Sequence, residues 1–348
     1  MSDQLDLYEL INTHVNADTI QELFRSLKAD RPDTIKIGGN KPDLIARLKN
    51  LVAAGEIAEG HAYNLLRDAE ENGNQRIYYF QPNRARTREL NSPDDVGQSL
   101  FGAGWEDKFS TPLLTKVVDG TTVVDFRRHP KKTRDWVLKL YGYANRRKFI
   151  DRTPLDVDRR YRETWEEVPT RVVLLVRWNS YTADFGWLEF RLTRGLEGRE
   201  KVHLENLWEV VRPAVTLGDC HPVCLSPAIA KLFTTRGKNQ TLYHLRDTEA
   251  WDRDENGYAI KPHDPDDGTL DATEHGSGMI EQIVNSGGEC SSAVVEWQTE
   301  TSAGCLLKAL KCIIGGGTKA TRHQVCIASE VSAAAVDYVT DQLRHFVR

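Results

Sequence analysis

Thirteen basic side chains fall between residues 127 and 162: Arg127, Arg128, Lys131, Lys132, Arg134, Lys139, Arg146, Arg147, Lys148, Arg152, Arg159, Arg160 and Arg162. Only four acids, Asp135, Asp151, Asp156 and Asp158, accompany them, an excess of about +9 on a 348-residue chain whose formal net charge is −5. Trp136, Tyr141, Tyr143, Phe149 and Tyr161 are interleaved. Such a segment has the makings of a phosphate-tracking surface: cations displace condensed counterions, and rings pack on sugars or bases. DNA, duplex before single strand, is the expected partner. The same residues also describe the solvated face of a surface helix whose charge is balanced elsewhere. Residues 246–281 supply a counterweight, with eleven acids against Arg246, Arg253 and Lys261. This segregation suits an acidic loop that either avoids the basic face or competes with nucleic acid for it.

Other residue sets have the types that chemistry needs but not the spacing. Cys220-His221-Pro-Val-Cys224 joins two thiols and an imidazole, yet no second pair follows at zinc-site distance. A metal-dependent nuclease needs strand-borne acids with a lysine or glutamine two residues after the second. Glu296-Trp-Gln298 with Glu289 or Asp271, and Asp184 with Glu189 and Arg191, match loosely, as alternating strands do by chance. Gly315-Gly-Gly-Thr-Lys319 lacks phosphate-loop spacing and reads as a turn. Cys305 or Cys326 with His323 has the types of a nucleophile and base, but cysteines inside apolar runs are more often small buried hydrophobes. The expectation is a protein with no catalytic centre, metal or cofactor of its own.

These groups must be positioned by a chain of mixed α+β type. Residues 4–75 carry helical periodicity in four segments. Asp18 or Thr19 caps the second, Pro42 sits in the first turn of the third, and the fourth runs over 56–71. The period then changes. Residues 76–80 read as a strand, 81–110 as a linker or long loop rich in turn residues, and 122–126 as a strand leading into a basic helix at 133–149. Segments 171–178 and 185–193 form a hairpin, and 204–211 suits either helix or strand. At the end, 293–298, 301–314, 323–328 and 332–346 alternate as strand, helix, strand, helix. The resulting layout is multidomain: a helical module over 1–75, strand and linker over 76–115, an α+β domain over 116–245, an acidic mobile insertion over 246–290 and a C-terminal β-α-β-α segment over 291–348.

Within the helical module, the run from Ile20 to Lys28, a short loop, and Ile37-Gly-Gly-Asn-Lys-Pro-Asp-Leu-Ile-Ala-Arg-Leu48 resemble the SAP family of helix–extended–helix modules. The features carrying the resemblance are the Gly39 and Lys41 turn, the Leu44-Ile45 core pair and Arg47-Leu48 on the second helix. The resemblance covers residues 20–52 and implies DNA binding, with Lys41, Arg47 and Lys49 facing phosphate. A helix start with outward N–H groups and an adjacent lysine can hold such an anion. Read from the residues alone, the segment is also consistent with a helical hairpin docked on the rest of the chain, or with a module that binds another protein.

The N-terminus, Met1-Ser-Asp-Gln-Leu-Asp, lacks the basic start and apolar run of a signal peptide, and no stretch approaches the ~18 apolar residues of a membrane span. The chain is expected to be cytoplasmic and, from its arginine-rich composition, bacterial. The function expected is DNA binding with protein partners, in genome maintenance or defence against foreign DNA. A nuclease using the C-terminal segment and a protein-interaction adaptor are the rivals.

Overall fold

Four helices come first: α1 (Leu7–His14), α2 (Ala17–Asp30), α3 (Lys41–Ala53) and α4 (Gly60–Asn72). Their ends are set locally. The Asp6 side chain accepts from Tyr8 N at the start of α1, and the Asn40 side chain accepts from Asp43 N at the start of α3, where Pro42 lacks an N–H that would otherwise be orphaned. Leu44, Leu48 and Leu51, spaced three and four apart, meet Leu7, Leu10, Ile11, Phe24, Leu65 and Leu66 in one apolar cluster. The computed structural model describes residues 6–30, 35–109, 120–155, 160–193, 199–239, 241–251, 257–260, 270, 277–299, 308–316, 323–327 and 333–347.

The remaining elements are β1 (Gln75–Pro82), α5 (Arg84–Leu90), α6 (Pro93–Phe101), α7 (Trp105–Lys108), β2 (Thr122–Arg128), β3 (Trp136–Leu155), β4 (Arg160–Thr182) and β5 (Phe185–Thr193). They continue with α8 (Glu200–Val211), β6 (Cys220–Pro222), α9 (Ser226–Thr235), β7 (Tyr243–Trp251), β8 (Gly257–Ile260), α10 (Ser277–Asn285), β9 (Glu289–Thr299), β10 (Lys308–Gly315), β11 (Gln324–Ile327) and α11 (Ala333–Val347). The strands join in one antiparallel sheet of order β2-β3-β4-β5-β1-β11-β10-β9-β7-β8, with β6 paired to β1. The chain is therefore of mixed α+β type.

Over strands β2 to β5 the two faces of the sheet differ in chemistry. One is apolar: Leu138, Leu140, Val172, Leu174, Val176, Leu188 and Phe190 pack with Leu90, Val96, Trp105, Leu207 and Val211 of α5 to α8. On the other, a small apolar cluster of Val124, Val137, Tyr141, Val173 and Leu175 is interrupted by the buried charges Lys139, Arg171, Arg177, Glu189 and Arg191. Carboxylates from helices meet these cations. Glu70 of α4 accepts from Lys139 Nζ at 2.7 Å and from Arg171, Glu71 accepts from Arg127, and Asp337 of α11 accepts from Arg177 at 3.0 Å. Asn179 donates to Glu189, which also accepts from Arg191 Nε at 2.9 Å. The opposite charges hold the Glu70 carboxyl below its usual range although burial alone pushes it up. On β1, β11, β10, β9 and β7 this second face carries an apolar core with α9, α10 and α11 that includes Ile77, Tyr79, Trp297, Ile229 and Leu343.

Four expectations are corrected. Residues 133–149 are not a helix, since 136–155 is strand β3. Lys139, Val137 and Tyr141 face one side and Leu138, Leu140 and Gly142 the other, a period of two that a sheet covered on both faces needs. The stretch 81–110 is not a linker, since its turn residues are helix caps. Asn83 accepts from Arg86 N and Ser92 from Asp95 N, starting α5 and α6. The C-terminal helix expected over 301–314 is strand β10 from Lys308 onward; Leu310, Cys312 and Ile314 are buried while Lys311 and Ile313 are exposed. Residues 301–307 lie outside the described residues. The mobile insertion expected over 246–290 contributes most of β7 together with β8 and α10, with Ala250, Ile280 and Ile283 in the core. Within it, residues 252–256, 261–269 and 271–276 lie outside the described residues. Segment 204–211 falls in α8.

Candidate nucleic-acid interface

The basic stretch does not converge on one patch, because a strand spreads its residues along a line. Lys131, Lys132 and Arg134 lie in the turn before β3, and Arg147 and Lys148 lie roughly 35 Å further on at ~3.3 Å per residue. Most of the cations near the body of the sheet are held by carboxylates. Arg127 donates to Asp125 and Glu71, and Arg128 to Asp94 and Glu106. Lys139 is buried on Glu70, and Lys132 Nζ lies 3.8 Å from Asp135. A cavity of about 200 Å³ beside this network, lined by Arg67, Glu70, Arg127, Lys139 and Tyr141, is therefore a paired ionic site rather than an open anion cradle. Lys131 and Arg134 are exposed and enter no ion pair among the described residues.

In the N-terminal helices the three candidate cations are also engaged. Lys41 Nζ donates to Asn12 O at 2.5 Å, Arg47 donates to Lys36 O at 2.5 Å and Gly38 O at 3.0 Å, and Lys49 lies 3.3 Å from Asp6. These bonds tie α1, the extended 35–39 segment and α3 together. Gly39 sits at φ +136°, a value an L side chain rarely adopts, and lets the chain turn into the Asn40 cap.

The most exposed part of the basic stretch is a two-stranded ribbon. β2 pairs with β3 only as far as Tyr141, and β5 pairs with β4 only from Leu174 onward. Between these limits, among the described residues, β3 and β4 pair with no third strand, over a length of roughly 40 Å. Direct cross-strand partners are Arg147 with Glu167, Lys148 with Glu166 and Arg152 with Glu163. The last pair reaches 3.9 Å. Arg146 pairs by backbone with Val168. Phe149 and Trp165, opposite one another, stand edge to face at 5.3 Å and 74°, 46% and 48% exposed. A β-bulge follows at Ile150, which is 56% exposed.

The acids Glu163, Glu166 and Glu167, together with Trp165, escaped the sequence reading because they lie just past the basic run. The signal that points to them is the Asp156-Val-Asp158 run, a turn-favouring composition in the sequence, and the pairing of β3 with β4 brings 163–167 opposite 147–152.

The candidate catalytic sets are engaged in other ways. Glu296 is bonded to Arg246 at 2.8 Å, and Trp297 beside it is fully buried. Asp184 receives Arg84 and Arg88 at the β4–β5 turn, while Glu189 and Arg191 are buried on each other. His323 Nδ1 accepts from Leu225 N. Cys220 is buried with its thiol pushed up to about 12 by desolvation, and Cys224 is exposed. Asp271 and Cys305 lie outside the described residues. Among the described residues no three His, Cys, Asp or Glu side chains gather as a metal-binding set, and no helix is long and apolar enough to cross a membrane. Neither a protein-family model nor a curated protein sequence matches this chain.

Proposed function

We propose that this chain is a multidomain DNA-binding protein that acts with protein partners in the cytoplasm, and that the β3–β4 ribbon makes the principal contact. The observation that carries the reading is the exposure of Arg147, Lys148, Phe149 and Trp165 on a two-stranded arm extending beyond its neighbouring strands. A β-ribbon is narrow enough for a nucleic-acid groove, and its cations can reach phosphate while its rings reach sugars or bases. Lys131 and Arg134, at the far end of β3, make a second and smaller contact. The α2, extended 35–39 and α3 order supports a SAP-like role for the N-terminal helices, in which Lys49 is the candidate cation most open to solvent. Genome maintenance or defence against foreign DNA remains the setting proposed for such a binder.

The test is a fluorescence-anisotropy titration with labelled DNA at 50 and 200 mM salt. Removing Arg147 and Lys148 together as glutamines should flatten the dependence of log K on log salt by about 1 to 2, since each phosphate contact contributes roughly 0.9. An unchanged slope and affinity would refute the role of the ribbon. A second reading, a protein-interaction arm, draws on the same rings, because Trp, Phe and Arg concentrate in protein interfaces. Loss of a partner in pull-downs by the ring variants, with DNA affinity intact, would favour it.

A further inference from the structure

The charge of the ribbon is nearly balanced. From Tyr143 to Thr170 the sequence carries seven basic side chains and six acids, and Glu163, Glu166 and Glu167 lie opposite Arg152, Lys148 and Arg147. Resting on the DNA-binding reading, we infer that the ribbon takes unpaired bases, which stack on Phe149 and Trp165, in preference to intact duplex.

Two physical terms compete at such a surface. Duplex binding draws on counterion release, which needs several uncompensated cations side by side. Here Arg147, Lys148 and Arg152 each have a carboxylate across the strand pair, and the acids repel the phosphates that the cations attract. Base stacking needs few charges but requires rings with open faces, and every base has a π-face to offer. The ribbon has what the second term needs. Phe149 and Trp165 are nearly half exposed in their edge-to-face pair. Pairing and alternation put Arg147 and Arg152 on the same ribbon face as the rings, one on either side, where they can meet the backbone of a bound strand. In a closed duplex the base faces are already stacked on one another and unavailable to these rings. A single strand, a bubble or a mismatch opens them.

Trp165 also supplies the readout, since among the described side chains it is the exposed tryptophan. Trp136, Trp178, Trp187 and Trp297 are fully buried, Trp105 is buried and Trp208 partly so. The full chain is titrated with a mixed-sequence single strand, the matching duplex and the same duplex carrying a central unpaired bubble. Anisotropy, tryptophan emission and iodide quenching are followed. The single strand and the bubble should bind at least tenfold more tightly than the duplex and should protect Trp165 from iodide. Phe149→Leu and Trp165→Leu should each lower affinity for the single strand about tenfold, while Trp165→Phe restores most of it; circular dichroism confirms that the ribbon persists in each.

Equal or tighter binding of closed duplex, with ring variants that bind as the parent does, overturns the inference and leaves DNA binding standing. Absence of binding to all three probes removes the DNA reading itself. A change in native mass by light scattering in the ring variants, without a change in nucleic-acid affinity, shows that the rings bury against protein and likewise overturns the inference.

Discussion

Replacing Glu70 with glutamine should cost about 3 kcal/mol of stability at neutral pH, the low end of the range for breaking a buried ion pair. The carboxylate, on α4, is 1% exposed and accepts from Lys139 Nζ at 2.7 Å, from Tyr141 Oη at 3.1 Å and from Arg171. An amide of the same shape keeps some hydrogen bonding but leaves two buried cations short of one charge. Glu71 Oε1, 3.6 Å from Lys139, compensates in part. Urea denaturation followed by circular dichroism measures the difference. The folded-state pKa of Glu70 is held below its ordinary 4.5, so its contribution is fully present above that value and is lost as the pH falls through the folded pKa. The gap between parent and Glu70→Gln should therefore narrow on acidification below about pH 4.5. A double replacement, Glu70→Gln with Lys139→Met, should recover part of the loss because it removes a buried charge with its partner. A gap under about 1 kcal/mol at neutral pH, or one that widens in acid, would refute the reasoning that the buried cations Lys139 and Arg171 depend on the Glu70 charge.

Asp135 behaves oppositely. Its buried carboxyl accepts from Ser180 N at 2.9 Å and desolvation raises its pKa to about 6, so its ionisation costs stability that accumulates as the pH rises from 3.8 to 6 and persists in full above that. Asp135→Asn should stabilise the protein at pH 7 by up to ~3 kcal/mol, an effect that vanishes below about pH 4 in thermal melts. Gly186→Ala should destabilise by roughly 1–3 kcal/mol in the same urea assay, since a Cβ would stand 2.5 Å from the Trp178 ring. Asn83→Ala should remove the cap of α5 at a cost of about 1 kcal/mol, and a variant as stable as the parent would show that the Arg86 N bond is not what starts that helix.

Local chemistry was enough to read much of the architecture. The four N-terminal helices, the strand after Asn74, the hairpin of 171–178 with 185–193 and the final helix all follow from periodicity and caps within ten or fifteen residues of chain. Local chemistry misled where one pattern serves two structures. Asn83 and Ser92 are turn formers in a loop and N-caps at a helix, and only the docking of α5 and α6 on the apolar face of the sheet decides between them. Residues 133–149 look helical to a count of charges, but Trp136, Leu138 and Leu140 need one covered face and Val137, Lys139 and Tyr141 another.

The sequence by itself determined the charge inventory and the N-terminal helices. The tertiary structure decided which of those charges remain available. Glu70, Glu71, Asp94 and Glu106 are distant in sequence from the cations they hold, and Glu163, Glu166 and Glu167 lie beyond the basic run yet opposite it on the next strand. Net charge along a segment is a one-dimensional sum, whereas the field at a surface depends on neighbours in space, and antiparallel pairing puts residues twenty positions apart within ~5 Å.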